Sequence, residues 1–379
     1  MTALTALVSE LLAEAKWSFS TRRVAHSDAR RLLPEMQTAT SGDLILGRVT
    51  DLGSHKRIQL AAGRPAQLYE GDLVVLACGA RYAPDQFEGL AEVDPEGADM
   101  LAAGGLLGRM RHRHDRMALP TKIKPLGLLA RRSGEVINIA DYAVPAAEAP
   151  EGLTVIGVVG ASMNSGKTTA VASLAHGLRR AGHRVAAIKA TGTGAFGDYN
   201  AFLDTGAAYV ADFTDAGMAS TYQQPLSRIL AGLDTLLAKA AGQGCGLAVV
   251  ELADGVFQKE TGELLQQPEV RERFAGFLFA AGDALAAAGG HAALGKLGIE
   301  PAALTGMVSC SPLGTAEAEA ATGAPVMTKA QLCDAEEAQK LLESLTLSEE
   351  QLDGLESAEV GLVAITAEPQ EEAVLEAAE

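Results

Sequence analysis

The ten residues Gly160-Ala161-Ser162-Met163-Asn164-Ser165-Gly166-Lys167-Thr168-Thr169 set small residues, one lysine and two adjacent hydroxyls between an apolar run, Thr154 to Val159, and a helical pattern. That strand, loop and helix context is what a phosphate-binding loop requires. Small residues let successive backbone N–H groups approach an anion, and the helix N-terminus behind them adds partial positive charge. Gly160, Ala161, Asn164, Ser165, Gly166, Lys167, Thr168 and Thr169 are therefore the expected contacts to a nucleoside triphosphate. Lys167 supplies a mobile positive charge, and the Thr168 hydroxyl completes a Mg2+ shell. The strict pattern has Gly at position 161, where Ala stands; a second small residue costs the loop little.

Further along, Ile188-Lys189-Ala190-Thr191-Gly192-Thr193-Gly194 ends a strand-like run in a lysine beside a Thr/Gly loop. A cation there lies where a transferred phosphoryl group or an anionic substrate would sit, although a solvated strand-end lysine reads the same way. Asp198, Asp204, Asp212 and Asp215 fall within eighteen positions. At least one of them, Asp198 foremost, is expected to hold Mg2+ directly or through water; the others are equally helix caps or turn residues. The apolar run Leu247 to Val250 ends in Glu251, the preferred second metal ligand, with Asp254-Gly255 close enough to polarise a water or a substrate group. The expected catalytic set is Lys167, Lys189 and Asp254, and the expected metal set is Thr168, Glu251 and Asp198. Val308-Ser309-Cys310-Ser311-Pro312 stands in the usual place of a base-contacting loop and is equally plain Ser-Pro turn chemistry.

The elements that must hold these residues alternate from Leu153 onward. Strand-like runs at Val155–Val159, Val185–Lys189, Leu247–Glu251, Gly276–Ala281, Ala303–Cys310 and Val326–Thr328 interleave with helical ones at Thr168–Ala181, Pro225–Ala241, Asp283–Leu297 and Thr315–Thr322. This is the pattern of a doubly wound α/β domain with a mostly parallel sheet, whose ligands sit at the carboxyl ends of the strands. Ahead of it, residues 2–16 read as a short amphipathic helix, and Gly42 to Cys78 alternates apolar and polar residues between turns at Gly53 and Gly63. Such a stretch predicts a small β barrel or sandwich. A Pro/Ala linker, Val144 to Gly152, separates the two, so the expected units are a β-rich domain over 1–150, a phosphate-loop domain over 151–345 and an acidic tail over 346–379. The tail's one apolar run, Gly361 to Thr366, is either an edge strand or disordered.

Charge narrows the partners. The 379-residue chain has a formal net charge of -17, and residues 331–379 hold one basic against fourteen acidic side chains. So acidic a chain opposes the counterion release that drives general nucleic-acid binding. No run of about 18 apolar residues and no leader-like start is present, so neither a nucleic acid nor a membrane is an expected partner and a cytoplasmic protein is expected. The cysteines, Cys78, Cys245, Cys310 and Cys333, lack metal spacing and read as free thiols. In the β-rich domain, the basic stretch from Arg109 to Lys124 either recognises an anion or is a solvated face. Arg81-Tyr82-Ala83-Pro84-Asp85-Gln86-Phe87 is either a binding loop or a packed corner.

The segment Gly160 to Lys189 resembles dethiobiotin synthetase and its relatives with the same loop. That resemblance implies Lys167 and Thr168 for phosphate and Mg2+, Lys189 for substrate and Glu251 for the metal. Ser162 replaces the Asp those enzymes carry in the loop, so their substrate does not carry over. Thr191 to Gly194, Gly197-Asp198 and Asp212-Phe213 are similar to a phosphate-loop family that includes a D-glutamate N-acetyltransferase. Together these imply an ATP- and Mg2+-dependent enzyme that activates the carboxylate of a small anionic substrate, an amino acid or short peptide, for amide-bond formation; a homo-oligomer is expected. The alternatives are an N-acyltransferase using coenzyme A and a nucleotide-switched GTPase or ATPase.

Overall fold

The computed structural model describes residues 3 to 347, with side chains from Val8. The tail's apolar run, Gly361 to Thr366, lies outside the described residues.

The N-terminal helix spans Ala3–Glu14. After it, five strands close on themselves. Leu44–Asp51 pairs antiparallel with Leu73–Cys78 and with Thr121–Ala130. Thr121–Ala130 continues antiparallel to Ala98–Ala102, and that strand to Leu106–Arg113. The ring shuts where Leu106–Arg113 runs parallel to Leu73–Cys78, through Ala77↔Leu106 and Cys78↔Leu107. Closure leaves these five strands no free edges. Alternation along them feeds two cores: Leu44, Leu46, Val75 and Ala77 join Trp17 and Leu129, whereas Ile45, Val74, Leu76, Met100 and Ile123 pack together on the other side. The barrel alternative of the sequence reading is the one observed.

The second unit is a six-stranded parallel sheet in the order Tyr209–Asp212, Val185–Lys189, Leu247–Glu251, Thr154–Gly160, Gly276–Ala280, Ala303–Thr305. Both faces are covered, so the strands read as continuous apolar runs. Val155, Val159, Ala186 and Ile188 pack on one face with the helix Leu226–Gly242; Ile156, Val158, Val185 and Ala187 pack on the other with the helix Lys167–Arg180. Each fully buried branched aliphatic contributes roughly 1.5–3 kcal/mol. Several such residues per strand offset the several kcal/mol needed to bury one charged group at a strand end. The scaffold can therefore hold Lys189 and Glu251 where they are.

The structure revises several boundaries. Ala303–Cys310 is not one strand: it stops at Thr305, and Met307–Cys310 is a short 3-10 turn. Gly306 explains the break, with φ at +92° and a Cβ position that would stand 2.1 Å from the Ser165 carbonyl oxygen. Val326 to Thr328 contributes a single parallel bridge, Leu304↔Val326. Tyr209–Asp212, read from sequence only as a carboxylate cluster, is the edge strand. Four side chains of the basic stretch pair with nearby acids. Arg109 pairs with Glu92, His112 with Glu88, Lys122 with Asp99 and Lys124 with Glu96, all acids of the barrel itself.

The two units meet closely. The Arg22 guanidinium lies over the rings of Phe19 and Tyr199, 4.2 and 4.8 Å from their centroids, and pairs with Asp212 at 3.0 Å and Asp215 at 2.5 Å. The Phe196 backbone N–H donates to Gln59 Oε1 at 2.7 Å. A Cβ on Gly104 would fall 1.9 Å from the carbonyl oxygen of Gly194, so the two backbones touch there.

Candidate functional site

The phosphate loop connects the strand Thr154–Gly160 to the helix Lys167–Arg180. Two positions inside it are left-handed, Asn164 with φ 63° and Gly166 with φ 107°. Asn is among the few side chains that tolerate this conformation and Gly accepts it freely. Lys167 folds back over the loop, its Nζ donating to the Ser162 carbonyl at 2.8 Å. Burial lowers its pKa, against the raising pull of Glu251 and Asp254. Ser165 Oγ is buried without a hydrogen-bond partner.

Two strand ends complete the site. Glu251 closes the strand next to the phosphate-loop strand, and Lys189 closes the strand beyond it; they are register neighbours. Lys189 Nζ bonds to Asp198 and pairs with Glu251 at 3.2 Å. Burial pulls its pKa down, but Glu251 and Asp198 outweigh it and the net shift is upward. Lys189 is 8% exposed and Glu251 2%, so the solvated strand-end alternative for Lys189 does not hold. The Thr168 hydroxyl lies 3.0 Å from Glu251 Oε2 and 3.2 Å from Asp198 Oδ1. Asp254 stands at the rim, its pKa raised by burial against the lowering pull of Lys167 and Lys189.

Thr168, Asp198 and Glu251 thus converge as one hydroxyl and two carboxylates. Mg2+ in triphosphate sites keeps several waters and takes one or two carboxylates besides phosphate oxygens, which suits this set. The lysine ammonium already between the two carboxylates is a cation in the same place. Among the described residues no group of three or more His, Cys, Asp or Glu side chains forms a metal cage.

Of the four aspartates, the structure brings only Asp198 here. Asp204 caps the end of the helix Phe196–Leu203 at the surface, and Asp212 and Asp215 are held by Arg22 at the domain contact. The segment Val308 to Pro312 divides: Ser309 and Cys310 line a cavity of about 260 Å3 beside Thr169 and Ser173, while Ser311 caps the helix Pro312–Thr322.

Met163, Asn164, Lys167, Thr168, Lys189 and Glu251 are among the walls of a cavity of about 320 Å3 over the loop. A second cavity, of about 330 Å3, opens between barrel and sheet and shares Met163, Lys189, Asp198 and Asp254 with the first. On its barrel side stand His55, Gln59, Arg81 and Gln86. Asn164 Nδ2 donates to Asp85 Oδ2 at 2.6 Å, so the barrel touches the phosphate loop itself. Local sequence gave no signal for Met163, His55 or Gln59, and Arg22 finds its acids 190 and 193 residues away.

No family model matches the chain, and no curated protein matches it. Among solved structures, it is similar to the signal recognition particle 54 kDa protein from Aeropyrum pernix K1 in complex with GDP, at 18% identity and a TM-score of 0.34 over 52% of this chain and 50% of that one. The chain thus spans about half the length of that structure. Cell division protein ftsY from Thermotoga maritima is similar at 20% identity, TM-score 0.34, over 56% of this chain and 74% of that one. A ParA family ATPase from Chlorobium tepidum TLS is similar at 14% identity, TM-score 0.33, over 52% and 94%. No helix of the described residues is long and apolar enough to cross a membrane.

Proposed function

We propose that the protein is a Mg2+-dependent enzyme that uses ATP to activate the carboxylate of a small acid, as an acyl phosphate, for attack by an amine. The observation that carries this reading is the pair of abutting cavities that share Met163, Lys189, Asp198 and Asp254. A protein that only binds and hydrolyses nucleotide has no use for a second chamber opening onto the same lysine.

The roles follow from position. Backbone N–H groups from Ala161 to Lys167, with Lys167 Nζ released from Ser162, hold the phosphates. Thr168, Asp198 and Glu251 hold Mg2+, which neutralises phosphate charge when bound. Lys189 stands at the passage between the chambers, where a cation offsets the charge of a transferring phosphoryl group. A carboxylate oxygen of the acid takes the γ-phosphoryl group and ADP leaves; the amine then attacks the acyl carbon and phosphate leaves. Asp254, with its raised pKa, is placed to accept a proton from the amine.

The Asn164–Asp85 contact favours a second reading, a nucleotide-switched protein in which loop occupancy moves the barrel. Phosphate release with ATP and with GTP, across a panel of acids and amines, separates the readings. Turnover that needs both an acid and an amine supports the ligase, slow turnover indifferent to both supports the switch, and acetyl-CoA consumption without ATP supports an acyltransferase. Lys167→Ala should abolish turnover, a loss of roughly 3 kcal/mol or more of transition-state stabilisation. Parental turnover in that variant would refute the assignment of the loop.

A further inference from the structure

The second cavity contains a charge that the phosphate site does not use. Arg81 is 5% exposed. Its guanidinium donates to the Leu101 carbonyl and, at 2.9 Å, to Gln86 Oε1, while its Nε is buried without a partner. Among the described residues it makes no ion pair. Burial pulls its pKa down to about 10, with Asp254 and Asp85 pulling upward from beyond ion-pair distance, so it remains cationic at neutral pH. A buried charge without a counter-ion is among the most costly arrangements in a folded chain. The protein carries one in the wall of a chamber that opens onto the phosphate site.

The surroundings are built for a polar guest. His55 Nδ1 donates to the Met100 carbonyl at 3.1 Å, which holds the ring against the chamber wall. Burial first, and Arg81 second, depress its pKa to about 4, so the ring is neutral and does not compete for the anion. Gln59 spends its Oε1 on the Phe196 N–H, leaving its amide N–H groups as donors. The close approach of the Gly104 and Gly194 backbones forms one wall of the chamber. At its far end stand Lys189, Asp198 and Asp254.

We propose that this cavity receives the acid substrate and that Arg81 anchors an anionic group other than the carboxylate that reacts, so that the substrate is a small molecule with two acidic groups. The inference rests on the ligase reading for which end reacts, and on the cavity alone for the anchor. A guanidinium prefers a planar carboxylate, which it can grip through two parallel hydrogen bonds, and Nη1 and Nη2 each keep a second N–H beside those they give to Leu101 and Gln86.

The test uses the full chain, with calorimetric titration and thermal shift against acetate, propionate, succinate, glutarate and inorganic phosphate, in the presence and absence of Mg-ATP. A dicarboxylate is expected to bind at least about tenfold more tightly than the monocarboxylates. Arg81→Met should weaken that binding by about tenfold or more, the scale of one charge-assisted contact, with Mg-ATP affinity unchanged. Ala103→Leu, which narrows the chamber and leaves the guanidinium in place, should give the same loss and guards against a folding defect in the first variant. Failure of every carboxylate to bind, or binding indifferent to both substitutions, overturns the inference. So does a response to inorganic phosphate alone that vanishes in Lys167→Ala and persists in Arg81→Met. Arg81-dependent binding without stimulated ATP turnover upholds the anchor and refutes the ligase reading; stimulated turnover that ignores Arg81 does the reverse.

Discussion

Replacing Lys189 by Met removes the ammonium that joins Asp198 to Glu251. Glu251, 2% exposed, would then keep the Thr168 hydroxyl at 3.0 Å as its nearest donor and lose its cation. Breaking a buried pair from one side costs about 3–5 kcal/mol. At about 2–4 °C per kcal/mol for domains of this size, the midpoint of thermal unfolding should fall on the order of 10 °C. Because the two freed carboxylates with Thr168 form the expected Mg2+ set, millimolar Mg2+ without nucleotide should raise the midpoint of Lys189→Met more than that of the parent. Adding Glu251→Gln should recover part of the loss, since it removes the stranded charge. Scanning calorimetry of the four proteins, with and without Mg2+, completes the cycle. A Lys189→Met midpoint within about 2 °C of the parent, less than 1 kcal/mol on the same scale, with no Mg2+ response, would refute the account of this cluster.

The Glu251→Gln variant alone should raise the Mg2+ concentration needed for half-maximal turnover, and an unchanged titration would remove Glu251 from the metal set. The His55 pKa is about 4 in the fold against an ordinary 6.5, so the unfolded chain takes up the proton first as pH falls. Its contribution is complete above pH 6.5 and is lost on descent to pH 4, about 3 kcal/mol in all. Urea unfolding of His55→Gln should lack that part of the acid slope, and an unchanged slope would show that the loss arises elsewhere. Arg22→Met strands Asp212 at the domain contact, leaves Asp215 only Arg23 at 3.7 Å, and should cost about 3–5 kcal/mol, with partial recovery on adding Asp215→Asn; equal unfolding midpoints in urea would contradict the clasp.

The phosphate loop was legible because everything that makes it lies within ten consecutive residues. Lys189 and Glu251 were legible for a related reason, since a charge ending a buried parallel strand points to the ligand edge of the sheet. Choosing among the aspartates was not possible locally: Asp198 and Asp212 have similar neighbourhoods in sequence, and only Arg22, placed by the barrel, takes Asp212 and Asp215 out of the site. Barrel closure was hidden likewise, because the parallel pairing of Ala77 with Leu106 has no hairpin turn to announce it. The overlong strand at Ala303 failed on Gly306, whose conformation is dictated by the Ser165 carbonyl across the loop and not by its own neighbours. Arg81 was readable as a binding residue or a corner, and its unpaired state appears only once the chain has folded around it.

The hydrogen bond from Asn164 to Asp85 bridges 79 residues and joins the barrel to the one loop whose geometry must answer to phosphate. Free energies around such a cycle are reciprocal: whatever a nucleotide gains from a loop held by the barrel, the docking of the barrel gains from the nucleotide. The sheet domain expressed alone would therefore be a different binder rather than a smaller one. A chimera with a foreign barrel would inherit the loop sequence and lose its tuning. Selection on nucleotide affinity can act on residue 85 as directly as on residue 164, so drift in the barrel is constrained by a ligand it does not itself hold.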